Sequence, residues 1–347
     1  VLYHVQVDNW NPADAYEDPD KPPEQLTYLD AKTLHDAGRA YRQVTSYKTS
    51  RVVQPEGDEA RPFQLDVRAT TADFFPMFDV PFLYGTGWDG NSDSALERVA
   101  VLSRDLNQRL FGGEDSVGRM LTLNGEPYRF AGVLDEWNPV PKFYDLNNNP
   151  YEAPAELFLP FSLAATNGFD RDGNTSCWKP VEDGGFDRFL GSECIWIQMW
   201  VELRDPSEKD EYLQFLDAYV EEQKALGRFA RPLNNRLNTP AEWMADREVV
   251  DDSVSVLLSI AVLFLVVCLL NTIGLLLAKI MRRAKDISLR RALGASRSAL
   301  FAQHIIEAGI IGAAGGLLGI VATWFGLRGI EQLYIEYDFI EHLVRMD

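Results

Sequence analysis

For about 250 residues the chain alternates short apolar stretches with polar, turn-rich ones, and then gives way to two long runs without charge. In the first part, Leu2–Val7, Gln64–Ala69, Arg98–Leu102, Met120–Leu123, Arg129–Leu134 and Ile195–Leu203 are β-rich segments of strand length. Helical spacing predicts helices over Pro23–Ala37, Arg104–Phe111 and Ser207–Leu226. The last has Ser207 as its N-cap, Glu208 and Asp210 in its first turn and Gly227 just past its end. Asn124-Gly125 between two strands signals a hairpin turn. The segment Asn138–Gly191 is rich in Pro, Asn, Gly and Asp and reads as long loops on a β scaffold.

The two uncharged runs are Val254–Ala278, 25 residues, and Ala308–Leu327, 20 residues. A run of about 20 residues at 1.5 Å each crosses a hydrocarbon layer of roughly 30 Å. Buried core helices are the competing explanation, since the second run holds five glycines from Gly312 to Gly326. Soluble core helices rarely reach the length of the first run, and membrane helices tolerate glycine better, so two membrane spans are expected. Upstream, Thr239-Pro240-Ala241-Glu242 is a capping box with proline at the first helical position. No helix breaker follows until Gly274. This predicts one continuous helix from Pro240 to about Arg283, roughly 65 Å long, with about 14 residues standing above the membrane as a stalk.

Charge orients the spans. The chain carries 33 basic and 52 acidic side chains, a net −19, on 347 residues, a length suited to about two domains. Residues 279–307 hold seven Lys and Arg (279, 282, 283, 285, 290, 291, 297) against Asp286 and Glu307, a net +5. The tail 328–347 has two bases against five acids, −3, which leaves −21 before the first span. By the positive-inside rule the 279–307 loop faces the cytoplasm, with the large N-terminal part and the tail outside. A domain of that size outside needs an export signal, and an earlier membrane segment is expected before Val1. Aliphatic and aromatic content of 46% excludes a disordered chain, and the acidity argues against a nucleic-acid partner.

Candidate chemistry is sparse. Histidines at 4, 35, 304 and 342 are too scattered for a histidine-built metal site. Asp145-x-Asn147-x-Asn149 with Glu156 has part of a calcium-loop spacing, but Pro150 stands where glycine is required and no helices flank it, so no site is assigned. Cys177 and Cys194 lie in the outside part and either pair, closing a loop of about 18 residues, or remain thiols; the compartment favours the bridge. Cys268 lies within the first span. Gly312, Gly315, Gly316 and Gly319 contain two small-xxx-small spacings that permit close helix approach, and Asn271 is polar at mid-span. Asp286–Leu293 reads as a short helix carrying Ile287, Leu289, Ala292 and Leu293 among Arg290 and Arg291. Gly294 suits the position past its end, and Ser296 can cap the returning helix. Such a loop binds lipid headgroups or docks into a cytoplasmic partner.

The stretch KDISLRRALGASRSALFAQHIIEAG and the following GGLLGI resemble the cytoplasmic signature of ABC-transporter permeases of the MacB/FtsX type. VRATTADFFPMFDVPFLYGTGW and ERVAVLSRDLNQRLFGGEDSVGRMLTLNGEPYRFAGVL resemble the MacB-type periplasmic core domain, so the likeness covers nearly the whole chain. In that family an acidic residue, often Glu, opens the coupling motif; here it is Asp286. The resemblance implies an α+β periplasmic domain over 1–238, with a porter-like α/β part at about 1–70 and 192–238 and an inserted β-rich part at about 71–191. A long stalk and transmembrane helix at 239–283, a coupling helix at 284–295, a transmembrane helix at 296–329 and a periplasmic segment at 330–347 before a further span would follow. It implies ATPase coupling through Asp286, Ile287, Leu289, Arg290, Arg291, Leu293 and Gly294, and location in a bacterial inner membrane. Implied partners are an ABC ATPase, a second copy or sister permease, membrane lipid, a periplasmic adaptor and a TolC-like outer-membrane channel.

No G-x-x-x-x-G-K-[ST] loop occurs, so ATP and Mg²⁺ would sit on the partner ATPase, with no cofactor in this chain. No nucleophile stands in a recognisable motif, and an enzyme is not expected. The leading expectation is force transfer for export or efflux. LolC/E-like lipoprotein extraction and FtsX-like hydrolase control are the alternatives within the family. From another class, a membrane receptor would need a cytoplasmic signalling domain, for which the 29-residue loop leaves no room.

Overall fold

The computed structural model describes residues 1–54, 61–181, 183–249, 252–294 and 296–334, and the chain divides after Val249 into two compact units. The first unit holds twelve strands: β1 (Leu2–Gln6), β2 (Arg42–Gln54), β3 (Phe63–Thr70), β4 (Phe82–Gly85), β5 (Val99–Leu102), β6 (Met120–Leu123), β7 (Glu126–Leu134), β8 (Leu157–Pro160), β9 (Ser176–Cys177), β10 (Cys194–Ile195), β11 (Gln198–Glu202) and β12 (Arg236–Asn238). Among them run α1 (Tyr28–Asp36), α2 (Phe74–Met77), α3 (Gly90–Ser94), α4 (Arg104–Phe111), α5 (Phe161–Thr166), α6 (Gly185–Leu190), α7 (Glu208–Ala225) and α8 (Pro240–Asp246). The second unit contains α9 (Asp252–Arg282), α10 (Ala284–Ala292) and α11 (Arg297–Tyr334).

One mixed sheet organises the first unit, in the order β12-β1-β11-β2-β3-β8-β5-β7-β4, with β3–β8 and β5–β7 parallel. Strand β6 pairs with both β2 and β7, so β2, β3, β8, β5, β7 and β6 close into a six-stranded ring. Alternate residues point into it, as a closed sheet requires. Val53, Leu65, Val67, Ala69, Leu121, Leu123, Tyr128, Phe130, Leu157 and Leu159 share one core cluster and are buried. On the other face of the sheet, Phe158 of β8 and Trp200 of β11 join Phe74 of α2, Phe78, Tyr144 and Trp243 of α8 in a second, aromatic cluster. The ring takes β2 and β3 from the expected porter-like part and β5 to β8 from the expected insertion. No break in the sheet therefore marks residue 70/71.

Several local readings hold to the residue. Ser103 caps α4 by accepting from Leu106 N–H at 3.1 Å, and Gly112 closes it at φ +64°. Asn124 and Gly125 both have positive φ, giving the two-residue turn between β6 and β7 that matches the twist of paired strands. Gly227, at φ +86°, ends α7, with Gly227 N–H on the Lys224 carbonyl and Arg228 N–H on that of Gln223.

Other readings are corrected. Helix α1 starts at Tyr28 rather than Pro23, because Thr27 in extended conformation caps it, accepting from Asp30 N–H at 3.1 Å. Ser207 does not cap α7: its own backbone is already helical, and Asp205 instead accepts its N–H at 2.8 Å. The region 138–191 is more than loop. It supplies the ring strand β8, helices α5 and α6, and β9, whose Cys177 is disulfide-bonded to Cys194 on β10. Asp145, for which no calcium site was assigned, is the buried partner of Arg68, and it accepts from Gln198 Nε2 at 2.7 Å and Asn148 Nδ2 at 2.6 Å.

The continuous stalk is overturned. The capping box forms as read, with Thr239 N–H donating to Glu242 at 2.8 Å, but α8 stops at Asp246. Glu248 adopts φ +49°, its N–H meets the Ala245 carbonyl at 3.1 Å, and Val249 N–H reaches back to that of Met244 at 3.1 Å. Together these satisfy the last carbonyls of α8 and turn the chain out of the helix. The same seven residues are held on the domain by Trp243, which is buried and stacked on His4 with centroids 4.0 Å apart.

Candidate coupling site

The second unit places the predicted coupling residues on and just beyond α10. Helix α9 closes at Arg283, whose N–H meets the Ile280 carbonyl at 3.1 Å, and α10 begins at once. Asp286, Ile287, Leu289, Arg290 and Arg291 stand in α10, with Leu293 and Gly294 in the turn after it; the side chains of Asp286 and Arg291 lie outside the described residues. Gly294 has φ +100°, the conformation its position after a helix called for. Ser296 stands immediately before α11, with Leu300 N–H on its carbonyl at 3.3 Å.

Leu289 and Leu293 are 62% and 80% exposed, a ridge one helical turn apart, and Arg290 beside them is exposed while Ile287 is half-buried. A helix so placed can present two apolar side chains and a guanidinium together to another surface. Returning helix α11 fixes its neighbours. Glu307 takes Lys279 Nζ at 2.5 Å and lies 3.7 Å from Arg283 and 3.8 Å from His304, while Gln303 Oε1 accepts from Arg290 at 3.3 Å.

Reasoning on the sequence missed Gln303 and treated Glu307 as a mere subtraction from the basic loop. A signal was available. Glu307 is the only acid from Ile287 to Glu307 and it borders the uncharged run, where a lone carboxylate needs a cation. The glycine stripe is placed but not brought against a neighbour: a Cβ on Gly312, Gly315, Gly316 or Gly319 would meet nothing within 4 Å. Helix α11 continues to Tyr334, past the expected end near 329; the rest of the expected 330–347 segment lies outside the described residues. Among the described residues no cluster of three or more His, Cys, Asp or Glu could hold a metal ion.

Val256–Arg282 and Leu300–Gly329 are long and apolar enough to cross a membrane. A mixed α/β domain followed by two such helices joined by a basic helical link has the outline of a membrane protein with a large domain outside the bilayer. Residues 1–218 match the family described as MacB-like periplasmic core domain, and residues 258–343 match the FtsX-like permease C-terminal family. The chain belongs to the MacB/FtsX-type ABC transporter permeases.

Relatives include an uncharacterized ABC transporter permease, YvrN, of Bacillus subtilis, 23% identical over 77% of this chain and 59% of its own length. The macrolide export ATP-binding/permease protein MacB of Wolinella succinogenes is 23% identical over 74% of this chain and 34% of its own. The chain thus spans between about a third and three-fifths of these relatives. The crystal structure of the periplasmic region of MacB from Actinobacillus actinomycetemcomitans aligns at a TM-score of 0.44 and 13% identity, over 72% of this chain and 92% of that one.

Proposed function

We propose that this chain transmits ATP-driven motion from a separate cytoplasmic ABC ATPase to its N-terminal domain, which handles an export substrate on the outer face of a bacterial inner membrane. The observation that carries this reading is the exposed Leu289–Leu293 ridge on a basic link between two apolar helices. Two leucines left in water cost free energy unless another surface covers them. A link this short, bounded by two spans, leaves a peripheral cytoplasmic protein as the natural cover. Asp286, Arg290 and Arg291 would set the register of that contact. The export role is supported by relatives such as the macrolide export protein of Wolinella succinogenes, and pairing of two copies or of sister permeases through the glycine stripe would complete the assembly.

Motion would reach the domain at α8, the segment pinned by Trp243, rather than along a projecting rod. The test is co-reconstitution with the cognate ATPase. Leu289→Asp and Leu293→Asp should each weaken co-purification and abolish stimulated ATP hydrolysis while leaving the N-terminal domain folded. Undiminished stimulation in both variants would remove α10 from the mechanism.

A further inference from the structure

Between α9 and α11, at the end nearest α10, lies a groove of about 240 Å³. Leu276, Ile280, Ile305 and Ile311 form apolar walls, and Lys279 and Arg283 stand on the α9 side. One carboxylate serves both cations: Glu307 is 2.5 Å from Lys279 but only 3.7 Å from Arg283, and it also faces His304 at 3.8 Å. Counting Lys279, Arg283 and Glu307, the mouth of the groove carries one positive charge in excess. Lys279 lies in the last turn of α9 and Arg283 just past its end, so both fall about 6 Å or less from that end, the depth at which long basic side chains reach headgroups.

We propose that this groove binds one anionic glycerophospholipid, its phosphate held by Lys279 and Arg283 and an acyl chain laid along Ile280, Ile305 and Ile311. The match is one of shape and charge: an apolar trough ending in unbalanced cations fits a molecule that is a hydrocarbon chain ending in an anion. Arg283 is the stronger recognition element, since its guanidinium is only loosely engaged by Glu307 and offers a planar fork to phosphate. A second copy of this chain fits less well, because it would bring its own +5 link against the same cations. A zwitterionic lipid offers no net charge to balance the excess. The inference rests on the two helices crossing a bilayer and is independent of ATPase coupling.

The protein would be reconstituted in nanodiscs of dioleoylphosphatidylglycerol and dioleoylphosphatidylcholine in equal amounts, released, and weighed with its retained lipid by native mass spectrometry. Retained phosphatidylglycerol should exceed phosphatidylcholine by about fivefold, from the one cation in excess near a headgroup. In K279Q/R283Q that preference should vanish. E307Q, which frees both cations, should raise it by about fivefold. Circular dichroism and gel filtration identify variants that have unfolded, and the opposite sign expected for E307Q keeps the test decisive if the double variant is one of them. Equal retention of the two lipids by the native protein, or a lowered preference in E307Q, would overturn the proposal. So would cross-linking between copies through cysteines placed at Ile280 and Ile305, which would show a helix in the groove instead.

Discussion

Arg68 and Asp145 form an ion pair with almost no access to water, at 2% and 0% exposure. The carboxylate gathers Arg68 on β3, Gln198 on β11 and Asn148 in the following loop, while Arg68 Nη1 donates to Ser46 on β2 at 3.3 Å and its guanidinium sits 5.0 Å from the Tyr144 ring. Truncation to Asp145→Ala leaves a guanidinium without its counter-charge in the interior, which costs about 3–5 kcal/mol. Arg68→Met strands the carboxylate and should cost a similar amount. The double variant removes both charges, so its cost should fall short of the sum of the singles by at least about 2 kcal/mol; what remains is the unpaired amides of Gln198 and Asn148. Urea unfolding of residues 1–249, followed by circular dichroism and tryptophan fluorescence, measures all three. A cost below about 1 kcal/mol for Asp145→Ala, or strict additivity in the double variant, would refute the reasoning.

Two groups should give this domain opposing pH dependences. Burial, reinforced by Asp73 and Asp89, pushes Asp93 up to about 6 against the opposing hydrogen bonds from Ala72 N–H and Trp88 Nε1. The folded state then binds a proton more readily than the unfolded chain, and stability from this residue rises by roughly 1 kcal/mol as pH falls from 7 to 5; Asp93→Asn should remove that slope in unfolding curves. His4 is buried and pushed down to about 3, chiefly by burial and then by Arg247, so it stays neutral in the fold. It removes roughly 2 kcal/mol over the same interval, because the unfolded chain takes up the proton instead. His4→Phe keeps the ring stacked on Trp243, discards two nitrogens that find no partner among the described residues, and should abolish this acid sensitivity. Replacing both Cys177 and Cys194 by serine opens the loop between β9 and β10 and should cost about 2–4 kcal/mol, read as a lower melting temperature that reductant no longer changes.

What the sequence revealed tracks how locally each feature is determined. The turn at Asn124-Gly125, the capped helix α4 and the two uncharged helices are set by neighbouring residues, and they appear where expected. Strand β2 was missed because RQVTSYKTSRVVQ is largely polar, and its Gln43, Thr45, Ser46 and Thr49 are nevertheless buried. Three of them are met by other chain segments: Thr49 donates to the Asp170 carbonyl at 2.6 Å, Gln43 Nε2 to that of His35, and Ser46 accepts from Arg68. Such pairing leaves no periodic trace along the chain. The same holds for Glu307, whose meaning depends on Lys279 lying across the helix pair. Helix α10 was legible as a helix bounded by Gly294, while the side chains that hold it were not.

The end of α8 shows how a reading by breakers alone misleads. No glycine or proline lies between Pro240 and Gly274, so propensity permits a single rod. The helix is stopped by the domain: Trp243 leaves water by packing against His4, Arg247 pairs with Glu24, and Tyr151 Oη donates to the Val249 carbonyl at 2.6 Å. These contacts anchor α8 and the residues after it at points 98 to 239 positions distant in the chain, while Glu248 accepts a left-handed backbone that costs a non-glycine residue about 1–2 kcal/mol. The gain from burying one indole, about 2–3 kcal/mol, is enough to offset that strain. For a protein proposed to pass motion between membrane and domain, the consequence is mechanical. Under that proposal, displacement arriving at Val249 would pass into the domain through Trp243 on His4 of β1, Arg247 on Glu24 and the Val249 carbonyl on Tyr151.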